Sequence, residues 1–196
     1  MTRLGKVSFL RNKFSLFDAK SRWDNSVFGR FCLLLQKLIN KLMKKYVLDL
    51  IVSSVEHINE KYVLLKLTHS EALPEMQPGQ FVEVRVDGSS TTFLRRPISI
   101  NFVDYQTNEL WLLVAAIGDG TRALARLKAG DTLNCMLPLG NSFTMPQDKS
   151  TKVLLVGGGV GVAPLLNFGK VLNDNGIRPV YLLGAHSAKD LLLIDE

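Results

Sequence analysis

Cysteine is almost missing from this sequence. The 196 residues hold two, Cys32 and Cys135, far apart along the chain. That excludes a disulfide framework, and it excludes any four-thiolate metal or iron–sulfur site made from these residues alone. Histidine is as scarce, and His57, His69 and His186 lack the spacing of metal ligands. Nothing reads as an activated Ser or Cys nucleophile. No predominantly apolar run reaches the roughly 18–20 residues of a membrane span, which points to a soluble, cytoplasmic protein. Internal repeats and low-complexity tracts are also missing. What is present is a chain 46% apolar and 21% charged, enough for one large or two small domains with real cores and too apolar for a disordered tail.

The net charge is +6, and its distribution is uneven. Residues 1–42 carry nine of the 24 Lys and Arg but only two of the 18 acids, Asp18 and Asp24. The basicity belongs to an N-terminal arm, and the body is close to neutral. Such an arm suits nucleic acid or an anionic membrane surface, a transit peptide, or an unstructured or spuriously translated leader. Met43-Lys44-Lys45 looks like a fresh start, so the arm reads as a dispensable leader and no nucleic acid is expected as a partner. Its stretch 28–42 has Phe31, Leu34, Leu35, Leu38 and Leu42 on one stripe of a basic amphipathic helix.

From Tyr46 the pattern takes period two. Tyr46 to Val52, Lys61 to Leu67, Phe81 to Val86, Pro97 to Phe102, Glu109 to Ala116 and Thr132 to Leu137 each read as a strand between turn signals. A short helix over Gly120–Leu127, capped by Thr121, interrupts the series. Six strands and one helix predict a closed or nearly closed antiparallel barrel over 43–145, with Cys135 as a small core residue.

A second regime follows the linker 145–150. Val153-Leu154-Leu155-Val156 is a continuous apolar run, as in a strand buried on both faces. A glycine-rich turn, a helix over Ala163–Asp174, a second buried strand at Val180–Leu183 and a helix opening at Ser187–Leu193 complete the pattern. This is β-α-β, the first unit of a doubly wound parallel sheet. About 46 residues do not complete such a sheet, so 151–196 reads as a nucleotide-binding α/β domain cut short.

Three segments carry the chemistry. Gly157, Gly158, Gly159 and Gly161, with Pro164, lie between a buried strand and a helix, where backbone amides and the helix N-terminus can receive a pyrophosphate. Proline suits a first helical turn, where no amide donor is needed. The same glycines would serve a tight turn without a ligand. In Leu94-Arg95-Arg96-Pro97-Ile98-Ser99 the alternation sends the two arginines to opposite faces, one toward a ligand phosphate and the other toward solvent or a partner. A solvated arginine pair reads as well. Gly118-Asp119-Gly120-Thr121-Arg122 leaves free amides at a helix N-terminus, either a second phosphate cradle or a plain capped turn.

In this order the segments resemble the ferredoxin-reductase superfamily, an FAD-binding barrel followed by a nucleotide-binding α/β domain. The resemblance implies that Arg96, Pro97, Ile98 and Ser99 form the flavin motif, with Ile98 where an aromatic is more usual and Ser99 donating to the flavin ring. Leu113, Val114 and Ala115 are similar to the backbone lying along the flavin, Gly120 and Thr121 to the pair that receives the FAD pyrophosphate, and Pro138 to Asn141 to a turn beside the cofactor. Gly157, Gly158, Gly159, Gly161 and Pro164 resemble the NAD loop. Leu183-Gly184-Ala185 with Asp190-Leu191-Leu192 resembles the next strand–helix junction, and His186 stands where many relatives carry Arg.

Within the superfamily, Phe93 to Ile100 and the compact barrel look most like the family of electron-transfer subunits of NAD-linked dihydroorotate dehydrogenase. That implies electrons passing from an FMN-containing catalytic subunit, in a heterotetramer, across a 2Fe–2S cluster to FAD and on to NAD, with no side chain acting as acid or base. The cysteines that hold the cluster in the family are absent here, so the chain is either a fragment or a protein that has lost the cluster, and the unfinished α/β domain favours a fragment. A sister NAD(P)H reductase subunit and a non-catalytic flavin-binding barrel are the alternatives.

Overall fold

The structure is a computed structural model, and it describes residues 34–35, 44–87, 89 and 91–192. The chain falls into two compact units, 1–44 and 45–196. Of the amphipathic helix expected over 28–42, only Leu34 and Leu35 are described, both helical; Phe31, Leu38 and Leu42 lie outside the described residues.

Six strands close a barrel: β1 (Tyr46–His57), β2 (Tyr62–Thr68), β3 (Phe81–Val84), β4 (Arg96–Asp104), β5 (Glu109–Ala115) and β6 (Thr132–Leu139). Their order around it is β1-β2-β5-β4-β3-β6, with neighbouring strands antiparallel. The alternation seen in sequence is the signature of this closure, since one side chain in two enters the barrel. Leu50, Leu65, Leu67, Ile100, Leu110, Leu112 and Leu137 are fully buried there, each worth about 1.5–3 kcal/mol relative to exposure.

Three local expectations change. Strand β3 ends at Val84 instead of Val86, because the Arg85 side chain folds back onto Asp87, Nε to Oδ1 2.8 Å, and starts a turn. The helix after β5, α1 (Asp119–Leu124), is shorter than expected. Its last turn tightens, with Leu127 N donating to Leu124 O, and Asp131 Oδ2 captures the Lys128 amide. Its cap is Gly118, not Thr121, which occupies the third helical position.

After the linker come β7 (Leu154–Gly158), a 3-10 turn (Gly159–Val162), α2 (Ala163–Asp174) and β8 (Val180–Gly184), with β7 and β8 parallel. Helix α2 covers one face of this pair through Leu165, Phe168 and Leu172 on Leu155 and Leu183. The other face is not buried as the apolar runs suggested: Leu154, Val156, Val180 and Leu182 are exposed. An apolar run shows that both faces can be buried, and here only one has a covering helix. The helix expected at Ser187–Leu193 is one 3-10 turn, Ala188–Asp190, followed by extended Leu191; residues 193–196 lie outside the described part.

Candidate functional site

The site lies where β4 and β5 part. Their ladder runs from Asp104–Glu109 to Ile100–Leu112. Beyond it, Arg96–Ser99 pair with β3 and Leu113–Ala115 pair with β2. Ile98 and Val114 point into the barrel core. Ser99 is half-buried and its hydroxyl has no hydrogen-bond partner among the described residues, while Pro97 is exposed. Leu113 is covered by Val162 and Ala163, so of that segment the backbone and half-buried Ala115 border the opening.

Across this opening the structure brings Arg96 and Gly120 together. A Cβ on Gly120 would stand 3.3 Å from Arg96 Cγ and Cδ and 3.0 Å from the Thr92 methyl. Glycine at 120 therefore lets the arginine stem lie across the first turn of α1. Arg96 Nε donates to the Leu94 and Arg95 carbonyls at 3.3 and 3.0 Å, and both terminal nitrogens have no partner among the described residues. Gly118 N donates to Thr121 Oγ1 (3.0 Å) and that hydroxyl donates back to Gly118 O (3.1 Å), so Thr121 shapes the turn instead of standing free. The first intrahelical bond is Arg122 N to Gly118 O, and the amides of Asp119, Gly120 and Thr121 have no intrahelical acceptor. Asp119 is neutralised by Arg122 Nη1 and accepts from Thr91 Oγ1, both at 3.1 Å. An unpaired guanidinium beside orphan amides is an arrangement for an anion.

Arg95 goes neither to solvent nor to a partner. Its Nη1 donates to the carbonyls of Glu83 (3.2 Å) and Asn134 (3.1 Å), and its Nη2 donates to Asn134 Oδ1. Asn134 Nδ2 in turn donates to Asp49 Oδ1 at 2.6 Å. The two arginines divide: Arg95 ties the start of β4 to β6, and Arg96 keeps its terminal nitrogens clear of described partners.

The glycines after β7 also divide. A Cβ on Gly157 would meet Leu165 Cδ1 at 2.8 Å and Val162 Cα at 3.1 Å, so this glycine serves helix–strand packing. Gly159 has φ +51° and lies under the Tyr62 hydroxyl, whose oxygen would be 3.2 Å from a Cβ there. Gly161 faces open space, where a ligand backbone can approach. Gly158 has only the Gly184 carbonyl near it, at 3.7 Å. Pro164 sits in the first turn of α2. The turn after β6 places Gly140 at φ +79° under the Phe81 ring, and His186 is exposed beyond β8.

Sequence reasoning missed the contacts that join this loop to the barrel. Asn101, fully buried in β4, donates from Nδ2 to the Ala163 carbonyl at 2.8 Å. Its signal is a slip of phase: Ile98 and Ile100 face the core, and so does Val103. Asn59 Nδ2 donates to Lys189 O at 2.8 Å, and Lys61 lies 4.0 Å from Asp190. Among the described residues no group of three or more His, Cys, Asp and Glu could hold a metal ion.

No protein-family model matches the chain. It is 43% identical over 129 residues to the dihydroorotate dehydrogenase B (NAD+) electron transfer subunit of Lysinibacillus sphaericus, covering 65% of this chain and 50% of that protein. The subunit of the same description from Shouchella clausii is 40% identical over 143 residues, 72% of this chain and 54% of that one. The chain spans about half the length of the curated relatives it matches. Among solved structures, the NADH-dependent reduced ferredoxin–NADP oxidoreductase superposes with a TM-score of 0.65 at 30% identity, over 76% of this chain and 52% of that one. The fold is thus that of the ferredoxin reductases, and homologues of this chain at about 40% identity are dihydroorotate dehydrogenase B (NAD+) electron transfer subunits.

Proposed function

We propose that this chain carries the flavin barrel and nucleotide loop of an NAD-linked dihydroorotate dehydrogenase electron-transfer subunit. In this reading it works in the cytoplasm beside an FMN-containing catalytic subunit, in a heterotetramer. The observation that carries the reading is the unpaired Arg96 guanidinium across Gly120, at the mouth of the opening between β4 and β5. FAD fits the donor set: Arg96 and the α1 amides would hold its pyrophosphate, Ser99 would donate to its ring, and the backbone of Leu113–Ala115 would lie along it. When bound, FAD supplies the exchange of hydride with NAD and of single electrons with a cluster. Ser99 orients the ring and leaves proton transfer to no side chain of this site. Gly158 and Gly161 leave room for the NAD pyrophosphate beside the N-terminus of α2. A four-thiolate 2Fe–2S centre, as the resemblance implies, would need more cysteines than the two these 196 residues hold.

A sister NAD(P)H reductase is the second reading, favoured by the 30% identity to the ferredoxin–NADP oxidoreductase. Flavin fluorescence titration tests the shared part. Arg96→Ala is expected to weaken FAD binding by about 1.5–3 kcal/mol, the scale of a charge-assisted hydrogen bond. Unchanged affinity would overturn the assignment of Arg96. NAD reduction on adding the dihydroorotate-oxidising subunit separates the two readings, and its absence leaves the sister reductase.

A further inference from the structure

Asn101 occupies an unusual place. Ile100 pairs with Leu112 and Phe102 with Trp111, so Asn101 is the extra residue of a β-bulge in β4. It lies two positions beyond Ser99 on the same strand. Its side chain is fully buried, and its amide nitrogen donates 2.8 Å to the carbonyl of Ala163, the first residue of α2. A carbonyl can only accept, so this contact fixes the amide's orientation. The other end, Oδ1, is buried without a hydrogen-bond partner among the described residues. An unsatisfied buried acceptor is destabilising, and an apolar residue would avoid that cost. Around the contact, Leu64 and Leu113 of the barrel pack on Val162 and Ala163. That patch is apolar and its attraction is non-directional, whereas the hydrogen bond is directional and specifies one register.

We infer that Asn101 is a positioning residue: its hydrogen bond to Ala163 locks the helix that carries the glycine loop onto the flavin strand. It thereby fixes the distance between the loop and Ser99. The inference deepens the flavin reading and rests on it for its consequence, because that spacing would set how a nicotinamide meets the flavin. The bulge turns one residue of β4 out of the ladder without disturbing Ile98 or Ser99, so one strand can serve both ligand and docking.

The test compares the full chain with Asn101→Ala and Asn101→Asp by amide hydrogen exchange and FAD titration. Alanine removes both the bond and the orphan oxygen; aspartate keeps the shape and replaces the donor. The expected result is exchange about tenfold or more faster over 159–172, the equivalent of losing one hydrogen bond. Exchange in β1, β2 and β6 and the affinity for FAD should stay within about twofold. Unchanged exchange over 159–172 would overturn the inference. So would equal acceleration in the barrel strands, or a parallel loss of FAD affinity, since either would make Asn101 an ordinary core residue. Should alanine fail to fold, aspartate carries the same comparison. Failure of the unaltered chain to bind FAD would refute the flavin reading, while the exchange data would still judge Asn101.

Discussion

Neighbouring residues on one strand meet opposite fates here, and chemistry decides which. Arg95 spends its donors on two carbonyls and an amide, whereas Arg96 keeps two nitrogens free of partners among the described residues; replacing the first attacks the frame, and replacing the second would, on the proposed reading, attack ligand binding. Cys135 shows the same logic for a thiol. It is fully buried in β6, and desolvation pushes its pKa up to about 12 from a usual value near 9, against the milder pull of Arg95. The folded chain keeps this proton where the unfolded chain loses it. Below pH 9 the group therefore adds no pH dependence, and above it stability falls by about 1.4 kcal/mol per pH unit. Denaturant unfolding of the chain and of Cys135→Ala at pH 8 and pH 10 checks this. Their difference in stability should shift by about 1.4 kcal/mol against the cysteine protein as pH rises; a constant difference would show that the thiol ionises in place.

Among the elements, α1 is the most exposed to a single substitution. A residue with a Cβ at 120 should raise its helix propensity by up to about 1 kcal/mol, while pressing on the Thr92 methyl at 3.0 Å and the Arg96 stem at 3.3 Å. Both neighbours are side chains that can give way, so the fold survives and Arg96 moves. Gly120→Ala is expected to keep its thermal midpoint within a few degrees and to lose about tenfold in FAD affinity, near 1.4 kcal/mol. Equal affinity in that variant would mean the stem position is irrelevant to the ligand. The strands of the barrel were legible in sequence because burial on one face writes period two into Leu48, Leu50 and Val52 or Leu110, Leu112 and Val114. The bulges were not, since one extra residue at Ser53 or Asn101 is a small phase slip in a strongly apolar stretch. The glycine loop was legible as a turn, but only packing separates Gly157, pressed on Val162 and Leu165, from open Gly161. Likewise Arg96 and Gly120 were each visible, and their contact needed the barrel to close.

At the scale of the molecule, two kinds of support hold the parts from Lys45 onward. The barrel is closed and carries most of the fully buried side chains, while β7 and β8 form a two-stranded sheet with a helix on one face. The α/β part leans on the barrel through the Leu64–Leu113–Val162–Ala163 patch, the Asn101 bond, and the Asn59 and Lys61 contacts to residues 189 and 190. Between them runs an exposed segment, where Asp148 folds a local turn with Ser150 and where Lys149 and Lys152 are exposed. Exposed backbone of this kind is where proteases act first. The proposed FAD contacts Arg96, Ser99, Gly120 and Thr121 all precede this segment. Limited trypsinolysis of the flavin-loaded chain should therefore cut at Lys149 or Lys152, and the fragment ending there should keep its visible flavin absorbance through gel filtration. Flavin lost in step with that cleavage would show that the nucleotide part helps to hold FAD, and the site would then belong to both parts of the chain.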